Sequence, residues 1–224
     1  FWNCGAPLIL GSVSAYEAAR ERIGGPKSRL VESATEGFAV EDALPILECD
    51  QTAPPYRPGN LDAEAGRCAM EWVRAGVELV MNADADAIVT CPINKVGIHA
   101  AGYAFPGHTE YVANLTGAPD IRMCLFSDSM RIVHVSGHLS LRDALDALSI
   151  ERIAGTIRLA HGALIRLALP TRRVAVAGVN PHAGEDGAFG GEEQEIVAPA
   201  VALCRAEGIE CSGPYSPDTV FKRL

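Results

Sequence analysis

Two histidines stand just beyond strand-like stretches of the sequence. His138 follows the apolar run RIVHV, and His182 follows VAVAGVNP and precedes a glycine-rich, acidic loop. In an open α/β sheet, loops at the carboxyl ends of the strands gather side chains around ligands. Imidazole suits Zn²⁺, Co²⁺ or Ni²⁺, so these two residues are candidate metal ligands. A catalytic metal needs about three protein ligands, and either histidine could instead be a loop residue bonded to a backbone carbonyl.

Three further stretches carry candidate substrate-binding side chains. Gly107 lets the backbone approach a ligand, while His108 and Thr109 offer a proton-transfer group and a hydroxyl donor. Lys95 follows a strand-like run and a proline turn, where its ammonium could meet a carboxylate or phosphate, or simply be solvated. Asp218, within Ser-Pro-Asp-Thr, is either a turn or capping residue or a ligand for a substrate hydroxyl or ammonium.

Common nucleotide-binding and hydrolase motifs are absent from the sequence. No Gly-x-Gly-x-x-Gly follows a predicted strand, and the stretch 25–28 fails the P-loop pattern because a proline separates its glycine from its lysine. There is no Gly-x-Ser-x-Gly nucleophile elbow and no His-Glu-x-x-His zinc helix. The residue patterns therefore assign no catalytic residue and no nucleotide-binding residue.

Strand and helix patterns alternate along the chain and must position these side chains. Strands are predicted from apolar runs at 7–10, 86–90, 122–127, 130–135 and 173–179. Helices are predicted from periodicity and capping residues at 14–23, 62–81, 140–169 with a break near 149, and 192–208. The alternation favours an α/β fold, a mostly parallel sheet with helices on both faces. A break near residue 103 predicts two lobes, 1–103 and 104–224.

Composition and charge exclude several classes of function. Of the 224 residues, 48% are hydrophobic and 21% are charged, as in a soluble globular enzyme. The net charge of −9 repels nucleic-acid backbones and anionic membranes. The seven cysteines lack metal-finger spacing, which indicates reduced thiols in the cytoplasm. Since no apolar run reaches the about 18 residues of a membrane span and no signal peptide is evident, we expect a cytoplasmic protein without nucleic-acid or membrane partners.

Several stretches together resemble one enzyme family. They are DAIVTCPINK, GYAFPGHTEY, RIVHVSGHLSLRDAL, VAVAGVNPHAGEDGAFGGEE and GPYSPDT, in the order and spacing of the 4-hydroxythreonine-4-phosphate dehydrogenase family of pyridoxal phosphate biosynthesis. The resemblance covers residues 62–220. It implies a two-lobed fold like that of isocitrate and isopropylmalate dehydrogenases. It also implies NAD binding without a Rossmann fingerprint, and a homodimer with the site at the subunit interface, so that the lobe at 104–224 carries the metal, substrate and dimerisation residues.

The resemblance also implies a reaction. Family members oxidise a secondary alcohol of a phosphorylated hydroxy acid, such as 4-phosphohydroxy-L-threonine, with NAD, and the resulting β-keto acid loses CO₂. A divalent metal, Zn²⁺, Mg²⁺, Co²⁺ or Ni²⁺, assists this chemistry. By motif, His138 and His182 resemble two of three metal-binding histidines. His108 and Thr109 resemble the substrate-binding pair, and Asp218 resembles a substrate-contacting acid.

The sequence departs from the family pattern at both ends. It lacks the Gly-Asp-Pro-type segment near the start, and it stops before the stretch that would supply the third metal histidine. We therefore expect a chain truncated at both ends, with weak metal binding and little turnover by itself. The alternatives are a dehydrogenase of a phosphorylated four-carbon sugar acid or an aromatic cis-dihydrodiol carboxylate, a metal-dependent hydrolase or lyase using the same histidines, and a non-catalytic fragment.

Overall fold

Two compact units make up the chain, Phe1–Pro119 and Asp120–Leu224. The structure, a computed structural model, describes residues 5–49, 57, 59–127 and 130–222. The lobe boundary expected near residue 103 falls inside the first unit, because the segment that follows it packs there through the buried ring of Tyr111. Across the described residues, no helix has the length and apolar character needed to cross a membrane.

A small parallel sheet organises the start of the first unit. Its strands pair in the order β1-β3-β2 and are β1 (Ile9–Leu10), β2 (Ser28–Val31) and β3 (Leu44–Leu47). Two helices accompany them, α1 (Val13–Ile23) and α2 (Ala34–Phe38). Ser12 begins α1, since its hydroxyl accepts a hydrogen bond from the amide of Ala15 at 3.3 Å. The strand predicted at 7–10 and the helix predicted at 14–23 are confirmed.

Three helices complete the first unit, α3 (Ala63–Met81), α4 (Lys95–Ala100) and α5 (His108–Thr116). The predicted cap at Asp62 is confirmed, because its carboxylate accepts a hydrogen bond from the amide of Glu64 at 2.8 Å. One apolar cluster joins the three helices, with buried members Met70, Val73, Ile98 and Tyr111. This cluster supports the helices whose first residues are Lys95 and His108.

The segment 86–90 departs from its predicted strand. It is irregular and does not pair with another strand in the part of the chain that the structure describes. Ile88 packs against the helical cluster, but Val89 is 84% exposed. The prediction was wrong because a short apolar run without alternation does not distinguish a paired strand from an irregular connection.

The described residues of the second unit include two strand pairs and three α-helices. The strand pairs are β4 (Cys124–Phe126) with β5 (Arg131–Val133), which is antiparallel, and β6 (Val174–Ala177) with β7 (Cys211–Tyr215), which is parallel. The helices are α6 (Leu141–Asp146), α7 (Ile150–Arg166) and α8 (Ala198–Ala206). Ser149 caps α7, which confirms the predicted break. Buried residues of α7 and α8 pack against Val176 and Cys211 of the parallel pair. The α/β class with mostly parallel strands is confirmed.

Candidate functional site

His182 lies in a left-handed turn that follows β6. The turn spans Pro181–Gly187, and φ is positive at every residue from His182 (56°) to Gly187 (97°). Residues other than glycine rarely adopt this region, and a run of them persists only where the surrounding structure holds it. The His182 side chain is 65% exposed. A strained backbone therefore presents an accessible imidazole.

Asp218 contacts His182 from the turn that follows β7. Its Oδ2 accepts a hydrogen bond from the backbone amide of His182 at 3.1 Å and lies 3.3 Å from His182 Nδ1. The hydroxyl of Ser216 donates to the same oxygen at 2.9 Å. The hydrogen bond from the His182 amide, followed by the one from Ser216, lowers the pKa of Asp218. The ionised carboxylate favours a proton on Nδ1 of His182, which leaves Nε2 available to a ligand.

A buried carboxylate holds the backbone that leads into the turn. Glu193 is 3% exposed, and its Oε1 accepts hydrogen bonds from the amides of Val179 and Asn180, both at 2.7 Å. Its Oε2 accepts a third from Asn180 Nδ2 at 3.0 Å. Burial raises the pKa of Glu193, but the hydrogen bonds from Asn180 and Val179 outweigh burial and lower it. Sequence reasoning treated this residue as one of several acids in the first turn of a helix and missed its role.

His138 lies beyond β5 and is exposed. Its φ is 56°, the same value as that of His182. Both predicted metal histidines therefore belong to the second unit. Both have a positive φ, which residues other than glycine seldom adopt. Residues held in such conformations cluster at functional sites, which favours a ligand-binding role for the two positions.

His108 and Thr109 open α5 in the first unit. Gly107 precedes them as the helix cap and provides no side-chain hydrogen bond. His108 Nε2 is buried, and it has no hydrogen-bond partner within the described residues. Buried polar atoms of folded proteins nearly always have partners, so an unsatisfied ring nitrogen calls for an explanation such as a bound ligand. Thr109, the next residue in the sequence, is exposed and carries a hydroxyl.

Lys95 is exposed at the first residue of α4. Asn94 caps this helix, since its side-chain oxygen accepts a hydrogen bond from the amide of Gly97 at 3.0 Å. A cleft of about 430 Å³ lies along the first turns of α3 and α4 and is lined in part by Asp62 and Asn94. Of the predicted site residues, the structure thus brings His182 and Asp218 into direct contact and places Lys95, His108 and Thr109 at the starts of two helices in the other unit.

Comparison with known proteins identifies the family of this chain. Residues 3–224 match the family model described as pyridoxal phosphate biosynthetic protein PdxA. The chain belongs to the PdxA family. Among its relatives, the D-threonate 4-phosphate dehydrogenase of Salmonella typhimurium is 38% identical over 97% of this chain and 68% of that protein. The 4-hydroxythreonine-4-phosphate dehydrogenase of Desulforapulum autotrophicum is 40% identical over 96% of this chain and 64% of that protein.

A solved structure agrees with the PdxA assignment. The crystal structure of 4-hydroxythreonine-4-phosphate dehydrogenase from Klebsiella pneumoniae matches with a TM-score of 0.89 and 40% sequence identity. The match covers 98% of this chain and 67% of that chain. The chain thus spans about two thirds of the length of the relatives it matches. The predicted family and the fold class are confirmed.

The contact between His182 and Asp218 is typical of a metal-binding histidine. A histidine whose second ring nitrogen faces a carboxylate, as His182 faces Asp218, is the usual arrangement of metal-binding histidines. The described residues contain no group of three His, Cys, Asp or Glu side chains placed to hold one ion. The metal-binding role of His138 and His182 therefore stays a prediction.

Proposed function

We propose that this chain forms the metal- and substrate-binding part of an NAD-dependent dehydrogenase. It would oxidise and decarboxylate a phosphorylated hydroxy acid, such as 4-phosphohydroxy-L-threonine, with the help of a divalent metal. The observation that carries the proposal is the contact of Asp218 with both the backbone and the ring of His182 on a strained, exposed turn. The PdxA family and the names of the relatives support the class of substrate.

His138 and His182 would hold the metal in this proposal. A divalent cation bound there would lower the pKa of the substrate hydroxyl and stabilise the negative charge that develops on oxygen during loss of CO₂. Asp218 would orient the ring of His182 through Nδ1, 3.3 Å from its carboxylate, so that Nε2 is the nitrogen a metal would use. NAD would accept the hydride. The sequence motifs assign none of the residues that would bind NAD.

Three residues of the first unit are the candidates for binding anionic groups of the substrate. His108 Nε2 is buried without a partner in the described part of the chain, so a substrate oxygen would satisfy it. Thr109 and Lys95 are exposed and offer a hydroxyl donor and an ammonium to a phosphate or carboxylate. Such charge-assisted hydrogen bonds are stronger than neutral ones. An anionic substrate is therefore bound by local donors despite the net charge of −9.

The experiment that tests the function follows NADH absorbance and CO₂ release together. The protein is mixed with NAD⁺ and Co²⁺ and with either 4-phosphohydroxy-L-threonine or D-threonate 4-phosphate, since relatives of both names match this chain. NADH and CO₂ should form slowly but in equal amounts with one of the two acids and should require all three components. His182→Ala should abolish both products. Substrate loss that needs Co²⁺ but not NAD⁺ would favour a hydrolase or lyase instead.

The same proposal includes a homodimer with the site at the subunit interface and a cytoplasmic location. The homodimer comes from the family resemblance, whereas the cytoplasmic location comes from the cysteine pattern of the sequence. Several large apolar side chains of the second unit are exposed, among them Phe126 at 79% and Leu141 at 88%. Such exposed apolar side chains are candidates for contact with a second copy.

A further inference from the structure

We infer that Glu193 is a positioning residue that sets the place of the His182 imidazole through the backbone that leads into its turn. The inference rests on the proposed function in one respect, the role of His182 as a metal ligand. Glu193 starts a π-helical turn, Glu193–Val197, that leads into α8. Its side chain extends back across the loop and accepts hydrogen bonds from the amides of residues 179 and 180, which follow β6.

The three hydrogen bonds to Glu193 fix the entry to the turn. The amides of Val179 and Asn180 and the Asn180 side chain all donate to the one carboxylate. A buried carboxylate is costly unless such donors surround it, and here the donors come from consecutive residues. Two residues after Asn180, the chain enters the run of positive φ at His182. Strained backbone of this kind persists where neighbouring groups over-determine it, and Glu193 is such a group.

Two glycines make room for the Glu193 carboxylate. A Cβ atom on Gly178 would lie 3.0 Å from Glu193 Oε1. A Cβ atom on Gly184, inside the turn, would lie 2.7 Å from Glu193 Oε2, and φ at this glycine is 79°. The carboxylate therefore occupies space between the strand end and the turn itself. Asp218 holds the same turn from the other side, through the amide of His182.

Hydrogen exchange tests the positioning role without metal or substrate. In metal-free protein, amides of the segment 178–190 are followed by mass spectrometry in the wild type, in Glu193→Gln and in the control Glu195→Gln. Glu195 is an exposed acid in the same π-helical turn. Glu193→Gln should speed exchange in this segment by about tenfold, because the amide that replaces Oε2 faces a donor and leaves it unsatisfied. Unchanged exchange in Glu193→Gln would overturn the inference whatever the metal does.

Metal affinity tests the consequence for His182. Calorimetric titration with Co²⁺ should show a loss of about 10- to 100-fold in Glu193→Gln, as for other residues that orient metal ligands. Val197→Ala removes a buried side chain, 1% exposed, from the same π-helical turn and controls for general destabilisation. Val197→Ala should lower the melting temperature but keep Co²⁺ affinity and the exchange rates of 178–190. If both variants lose affinity in proportion to their melting temperatures, Glu193 is only structural.

The two experiments separate the inference from the proposed function. A wild type that binds no Co²⁺, combined with faster exchange in Glu193→Gln, would refute a metal site in this chain and keep Glu193 as the residue that positions the turn. A wild type that binds Co²⁺, combined with equal affinity in Glu193→Gln, would refute the positioning role and keep the metal site.

Discussion

One carboxylate oxygen of Asp218 meets both the backbone amide and the ring of His182. Asp218→Asn keeps the size of the side chain but removes the charge that favours a proton on Nδ1. We expect the affinity for Co²⁺ to fall by about 10- to 100-fold, the range found when partners of metal-binding histidines are removed. Isothermal titration calorimetry measures this loss.

Asp146→Asn is the matched control for the loss of charge. Asp146 is an exposed acid at the end of α6 in the same unit. Its substitution changes the net charge by the same amount and should leave the affinity for Co²⁺ unchanged. Equal losses in both variants would show that overall charge, and not the contact with His182, determines the affinity.

The lowered pKa of Glu193 predicts a pH dependence of stability. Its hydrogen bonds favour the charged form over burial, so the folded-state pKa lies below the ordinary value of 4.5. The stabilisation is complete above about pH 4.5 and is lost as the pH falls through the folded-state pKa. In urea denaturation at stepped pH values, the free energy of unfolding should fall less steeply below pH 4.5 in Glu193→Gln than in the wild type.

Two other carboxylates of the second unit contact Asn180 or the turn at His182. Glu192 shares the Asn180 side chain, accepting from its Nδ2 at 2.7 Å, and Asp218 also has a lowered pKa. Asp218 contributes to acid destabilisation in the wild type and in Glu193→Gln alike. The difference between the two curves therefore reports on Glu193. Curves that remain parallel below pH 4.5 would contradict the prediction.

Among individual residues, candidate ligands could be predicted from the sequence, but the contacts that position them could not. His138 and His182 were selected because they follow strand-like runs, and both have a positive φ, while their role as metal ligands stays a prediction. Asp218 was assigned to a substrate, and its contact with His182 depends on the pairing of β6 with β7, which sequence patterns did not reveal. Nothing in the local pattern distinguishes buried Glu193 from its acidic neighbours.

Helices α3 and α4 approach each other backbone to backbone at Gly66. A Cβ atom there would lie 2.4 Å from the carbonyl oxygen of Gly97, which cannot rotate away as a side chain can. Gly66→Ala should therefore push α4, and Lys95 with it, away from α3. We expect the free energy of unfolding to fall by about 1–3 kcal/mol, as for other overpacked sites. Urea denaturation followed by circular dichroism gives this value.

Gly162→Ala in α7 is the opposite case. A Cβ atom there would meet Nη1 of Arg166 at 3.7 Å, an ordinary contact with the end of a flexible side chain. Since alanine favours a helix interior over glycine by about 1 kcal/mol, this variant should be more stable than the wild type. Destabilisation of similar size at Gly66 and Gly162 would mean that the close approach of α3 and α4 is not the cause.

Among the elements, helices with capping residues were the most predictable. Asp62 and Ser140, at the starts of predicted helices, each accept a hydrogen bond from a helix amide, and Ser149 does so at the predicted break. The short parallel strands were harder, because their neighbours are distant in sequence. The predicted strand at 86–90 is unpaired in the described chain, and β7 was missed because its Gly-Pro sequence lacks an apolar run.

For the whole molecule, the order and spacing of five motifs identified the family, and the match over residues 3–224 confirms it. Charge and composition argued against nucleic-acid and membrane partners but did not specify the substrate. The division into units at Pro119 could not be read from composition, because it depends on α5 packing against α3 and α4 through Tyr111. Contacts between distant segments decide such boundaries, and a single sequence does not display them.

In the proposed dimer, exposed apolar side chains of the second unit such as Leu141, which is 88% exposed, would lie at the interface. Leu141→Glu places a charge on that surface and should weaken dimerisation by at least about tenfold, since a buried unpaired charge is costly at an interface. Sedimentation velocity over a concentration series measures the change. Ile23→Glu, at an 86% exposed position in the first unit, is the control and should remain dimeric. Dissociation by Ile23→Glu alone would place the interface on the first unit, because only a residue at the contact converts added charge into lost affinity.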